Sequence, residues 1–166
     1  MRVYIPATLA MLSELVADGF LQPRAGTAFA VTPTLREAYA EGDDEELAEV
    51  ALGEAALASL RLLSGEAPDA PARRAVVEAD VDADSVTVRP DLDDAVVRVR
   101  GRIAIQQVVA AYVDNSDAEP AVRAAIAVID EADLGDEDAE LTVGDAQDHP
   151  LAWYATQELP FLLELL

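Results

Sequence analysis

Between Asp94 and Ile103 the chain alternates strictly. Val97, Val99 and Ile103 fall on one side of an extended backbone, and Arg98, Arg100 and Arg102 fall on the other. A period of two with one apolar side describes a strand that must lay that side on a core. Between Asp43 and Leu63 the period lengthens. Leu47, Val50, Leu52, Leu57, Leu60 and Leu63 recur at helical spacing behind the acidic start Asp43-Asp44-Glu45-Glu46. Their arc is wide enough to be buried on more than one side. A chain carrying both periods is restricted to a sheet with helices packed on it, a mixed α/β fold.

The remaining segments fill in that scheme. Arg2 to Pro6 reads as a short strand. Thr8 caps a helix with Leu9, Leu12, Leu15 and Val16 on one stripe, and Gly19 stops it. Ala28 to Thr32 is the next strand. Two strands joined by a helix predict a parallel pair with a right-handed crossover. Thr34 to Glu37 has the spacing of a capping box and opens a short helix. Residues 64–72 hold Gly65, Pro68 and Pro71 and read as an exposed loop. Ala75 to Val81 is strand-like, and Val86 to Val88 pairs with a neighbour. Ala110 to Val113 reads as a last strand, with a helix as the alternative. Ser116 to Glu119, with Pro120 in the first turn, opens a helix carrying Val122, Ala125, Ile126 and Ile129. An acidic stretch, Asp133 to Asp148, follows. Pro150 to Leu159 reads as helical, interrupted by Pro160. The expectation is a single domain over residues 1–166, with a mixed sheet of about five strands and helices mostly packed on one face.

The 166 residues include no cysteine and no lysine, eleven arginines and thirty-three carboxylates, for a net charge of −22. Disulfides, thiolate nucleophiles and cysteine-ligated metals are therefore excluded. Phosphate of nucleic acid and anionic membrane both require a basic footprint, so neither is an expected partner. Meeting Pro6 so early, the N-terminus does not resemble a signal peptide. No run of about 18 apolar residues is present, and the expected location is the cytoplasm. Arginine in place of lysine follows from GC-rich coding.

Chemistry is hard to place. Without lysine a Walker loop is impossible, and no G-x-G-x-x-G is found. One histidine, His149, cannot build a zinc centre. Asp145, Asp148 and His149 have no EF-hand spacing, and a solvated acidic loop is the simpler account. No G-x-S-x-G elbow supplies a nucleophile. No catalytic residue, cofactor or metal is expected.

Three features stand out. Arg98, Arg100 and Arg102 have the geometry to clamp an anionic ligand, or to pair with the chain's own acids. Trp153 and Tyr154 suit a stacked ligand or a contact hot spot, although an aromatic pair on a terminal helix is more often core. The tail Phe161-Leu162-Leu163-Glu164-Leu165-Leu166 is too apolar for a frayed end. It docks on its own domain, in a partner's groove, or on a second copy. The leading expectation is a non-catalytic protein-interaction module. The alternatives are an enzyme or binding domain for an anionic ligand, and an acidic nucleic-acid mimic using Asp43–Glu54 and Asp130–Asp148.

Taken together, MRVYIPAT, AFAVTPTLREAYAEGDDEEL, VVEADV, VAAYVDN and LAWYATQEL resemble an uncharacterised family from actinobacteria, a domain of unknown function. The resemblance runs nearly end to end. It implies a cytoplasmic bacterial protein and carries no activity, cofactor or catalytic residue.

Overall fold

A computed structural model describes all 166 residues. The chain opens with β1 (Arg2–Ala7) and α1 (Leu9–Asp18). The Thr8 hydroxyl accepts from the Met11 amide at 3.2 Å, and Gly19 closes the helix with φ 83°. Next come β2 (Phe20–Leu21), a 3-10 turn over Arg24–Gly26, and β3 (Thr27–Phe29).

Contrary to the crossover expectation, β1 and β3 are antiparallel, with Tyr4 opposite Phe29. The reversal happens after α1. There β2 leaves the main sheet to pair with β7 (Ile103–Ala104), and the turn that follows has positive φ at Ala25 (54°) and Gly26 (67°). A Cβ at Gly26 would stand 2.9 Å from the Val99 carbonyl oxygen, so both dihedral and space demand glycine.

The main sheet has seven strands, in the order β5-β6-β3-β1-β4-β8-β9, where about five were expected. Its other members are β4 (Ala75–Asp80), β5 (Val86–Val88), β6 (Val96–Val99), β8 (Val108–Val113) and β9 (Ala152–Ala155). Neighbouring strands are antiparallel throughout. One strand expectation and one helix expectation are corrected. The run Asp94–Ile103 is broken, because β6 stops at Val99 and Gly101 turns with φ 86° before β7. The run Pro150–Leu159 is a strand followed by a 3-10 turn, and Pro160 sits in the first turn of α6 (Leu159–Glu164) rather than interrupting a helix.

The remaining helices are α2 (Pro33–Ala38), α3 (Asp44–Ser64), α4 (Glu119–Asp133) and α5 (Glu137–Gln147). Thr32 caps α2, not Thr34, because Pro33 already occupies the first helical position. Asp43 caps α3, accepting from the Glu46 amide at 2.9 Å. No side chain caps α4; a 3-10 turn over Ser116–Ala118 leads into it. The acidic stretch is mostly helix, since Asp136 accepts from the Ala139 amide at 2.9 Å and Ala139, Val143 and Ala146 are buried on one stripe.

The two sheet faces take different partners. Val3, Ile5, Val77 and Val97 meet Leu12 and Leu15 of α1 and Leu159 and Leu162 of α6. On the reverse, Tyr4, Phe29, Val76 and Val96 meet Leu35 of α2 and Leu47, Ala51 and Ala55 of α3. Leu60 and Leu63, in the second half of α3, pack on Val122 and Ile129 of α4 and Val143 of α5. Four of the six helices thus lie on one side. No helix is long and apolar enough to cross a membrane.

Candidate functional site

The C-terminal segment both docks and projects. Leu159 and Leu162 of α6 enter the core shared with α1. The helix is short and its period carries alternate residues outward. Phe161 keeps 70% of its surface exposed and Leu165 keeps 85%. With Tyr154, Glu158 and Leu162 they line an open hollow of about 230 Å³. Beside it runs β9, an edge strand paired on one side only, to β8.

Trp153 and Tyr154 are consecutive on β9, so they face opposite ways. Tyr154 is half-buried against the α1/α6 core, while Trp153 lies opposite Tyr112 of β8 and stays 58% exposed. The expected aromatic pair on a terminal helix is therefore split between two faces of a strand. Tyr154, Phe161, Leu162 and Leu165 are brought together; Trp153 caps the same edge from the other face.

The three arginines make different contacts. Arg98 lies half-buried on β6, where its Nη1 donates to the Ala25 carbonyl and its Nε is buried without an acceptor. Arg100 is exposed just past the strand end, where its backbone amide bonds to the Ser85 carbonyl at 2.8 Å. Arg102 stacks its guanidinium 4.1 Å above the Phe20 ring. No carboxylate of the chain pairs with any of the three.

Two polar clusters were not foreseen from sequence. One joins strand neighbours on the α3 side of the sheet. The Tyr112 hydroxyl donates to Glu78 Oε1 at 2.8 Å, and Arg2 bonds to both Glu78 and Asp80. Burial, followed by that hydrogen bond, pushes the Tyr112 phenol above its usual range. Burial does the same for Tyr4, with the Glu78 charge adding to it. A hydrogen bond from Arg2 holds the Asp80 carboxyl below its usual range. The visible signal was Glu78, an acid two residues after Val76 and so on the face of Val76, in the strand-like run Ala75–Val81.

The second cluster is a buried clasp. Asp114 accepts from the Arg74 amide (2.8 Å), Nε (2.9 Å) and Nη2 (2.7 Å). Arg74 also donates to Gln147 Oε1 at 2.9 Å and to the His149 carbonyl at 2.8 Å. Their side chains are 2% and 0% exposed, so this pair is fully desolvated. Gln147 Nε2 continues the chain to the Gly53 carbonyl at 3.1 Å. One guanidinium thereby ties β4, the end of β8, the end of α5 and α3. Asp145, Asp148 and His149 form no metal-ligating group in the structure.

These features define a mixed α/β single-domain protein built on a seven-stranded antiparallel sheet. Residues 1–163 match the model of a family of unknown function, DUF6912, and the chain belongs to that family. No curated protein and no solved structure matches it.

Proposed function

We propose that this chain is a non-catalytic protein-interaction module of the bacterial cytoplasm and that its contact face is the C-terminal segment. The observation that carries the reading is Phe161 and Leu165 standing 70% and 85% exposed on a helix whose other side is docked in the core. Fully covering a large apolar side chain is worth about 1.5–3 kcal/mol, so a partner has something to gain there. Open β9 and half-exposed Trp153 extend the face with groups typical of contact hot spots.

Charge shapes the choice of partner. Two copies, each at −22, repel one another, which favours a distinct partner over self-association. Past Arg123 no basic side chain follows except His149, so a partner with a basic rim suits this end. The same charge turns away nucleic-acid phosphate and anionic lipid. The arginine-for-lysine bias supports an actinobacterial source.

The test is affinity capture at low and moderate salt with the wild-type chain and with Phe161→Ser/Leu165→Ser. A stoichiometric partner held by the wild type and lost by the variant supports the reading. Capture unaffected by the variant, or no partner at either salt, defeats it.

A further inference from the structure

Between α3 and the loop from α5 into β9 lies a cleft of about 340 Å³. Leu52, Gly53 and Ala56 of α3 and Leu151 give it an apolar lining. Arg74 and Gln147 reach it from the interior, while exposed Glu49 and Asp148 stand at its edge.

Two independent observations suggest that it holds a ligand. The first is a donor count. A guanidinium has five N–H groups. Four of Arg74's are given to Asp114 twice, to Gln147 and to the His149 carbonyl. The fifth, on Nη1, has no acceptor in the protein, in a side chain 2% exposed that lines the cleft. Facing the cleft, it is the one guanidinium N–H of the clasp left to bond a group that enters there. The second is Gly53. It sits inside the 21-residue α3, where glycine is about 1 kcal/mol worse than alanine. A Cβ there would meet no atom within 4 Å, so packing does not require its absence. What the glycine leaves is bare helix backbone lining the cleft.

The charges select the ligand. Arg74 is already matched by Asp114, whereas Glu49 and Asp148 take part in none of the seven ion pairs. The cleft is therefore negative at its edge, apolar along its wall and donating at its inner end. We infer that it binds a small amphipathic amine bearing a neutral carbonyl. The ammonium lies between Glu49 and Asp148, a short aliphatic stem crosses Leu52 and Gly53, and the carbonyl oxygen accepts from Arg74 Nη1. N-acylated diamines and amino-acid amides belong to this class, while phosphates and carboxylates do not.

The cleft shares no lining residue with the hollow beside Phe161 and Leu165 and is tested separately. The full chain is titrated at low salt with N-acetylputrescine, with putrescine, which lacks the carbonyl, and with N-butylacetamide, which lacks the ammonium. Calorimetry gives affinity, and amide and side-chain resonances of Leu52, Arg74 and Gln147 give location. The expected result is saturable binding of N-acetylputrescine with shifts at those residues, and at least about tenfold weaker binding of the other two. Gly53→Leu fills the cleft, abolishes binding and leaves the thermal midpoint unchanged or raised. Glu49→Gln/Asp148→Asn alters only exposed groups, and it removes the advantage of N-acetylputrescine over N-butylacetamide. Absence of saturable shifts, equal binding of all three probes, or undiminished binding to a folded Gly53→Leu overturns the inference.

Discussion

Asp114→Ala removes three acceptor contacts at once, those to the Arg74 amide, Nε and Nη2 at 2.8, 2.9 and 2.7 Å. What remains is a guanidinium with no counter-ion, 2% exposed and still bonded to Gln147 and the His149 carbonyl. Orphaning one member of a buried pair costs about 3–5 kcal/mol. Domains of this size are stable by roughly 5–15 kcal/mol, so the loss is a large share of the total. At about 2–4 °C per kcal/mol for a chain of this length, the thermal midpoint falls by roughly 6–20 °C. Urea unfolding followed by circular dichroism is the assay, because guanidinium chloride would screen the charges being measured. The double variant Arg74→Met/Asp114→Leu removes both charges and recovers part of the loss, since apolar replacement of a buried pair is often near neutral. A loss under about 1 kcal/mol for Asp114→Ala, or a double variant that loses the sum of the singles, refutes the reasoning.

Other changes test other parts of the fold. The Tyr112 phenol is raised first by burial and then by its bond to Glu78. Its contribution is complete below the ordinary tyrosine value of about 10 and is lost as pH climbs through the folded-state value. Tyr112→Phe should therefore weaken alkaline unfolding while lowering stability at neutral pH by about 1 kcal/mol; an unchanged alkaline midpoint contradicts this. Gly26→Ala combines φ 67° with a 2.9 Å approach to the Val99 oxygen and should cost about 1–3 kcal/mol. Gly19→Ala has positive φ but open space, so equal losses in urea midpoints would show that the steric contact is inert. The Asp133 carboxyl is held below its usual range by its hydrogen bond from Arg61. Its stabilisation is present above a pH of about 4 and disappears as pH falls through the folded value. Both side chains are over a third exposed, so Asp133→Asn costs under about 1 kcal/mol at pH 7 by urea melts. Only seven of the thirty-three carboxylates join ion pairs, so added salt should raise the thermal midpoint by screening the rest; a fall would contradict it.

Elements with local signals were legible in the sequence. α1 has Thr8 before it and Gly19 after it, and α3 has Asp43 and a leucine-rich arc of 21 residues. β9 is four residues long, too short to show a period, and it exists because β8 offers an edge. α5 has small apolar residues among many acids, and Ala139, Val143 and Ala146 make a thin stripe. The strand break after Val99 was hidden because Gly101 continues the alternation while its dihedral ends it. Arg102 lies past that turn, where its guanidinium stacks on Phe20. The Arg74–Asp114 clasp is non-local. It becomes visible only once β4 and β8 are known to place Ala75 opposite Val113, which brings the residues just outside both strands side by side.

The proposed contact face is tested most directly by photo-crosslinking in living cells from position 161, with position 141 as control. Phe161 and Leu141 are each 70% exposed, so exposure alone cannot separate them. A photoreactive residue replacing Phe161 is expected to capture one defined protein at high yield, and the same residue replacing Leu141 is not. Equal capture from both positions, or none from position 161, contradicts the assignment of the C-terminal segment as the contact face.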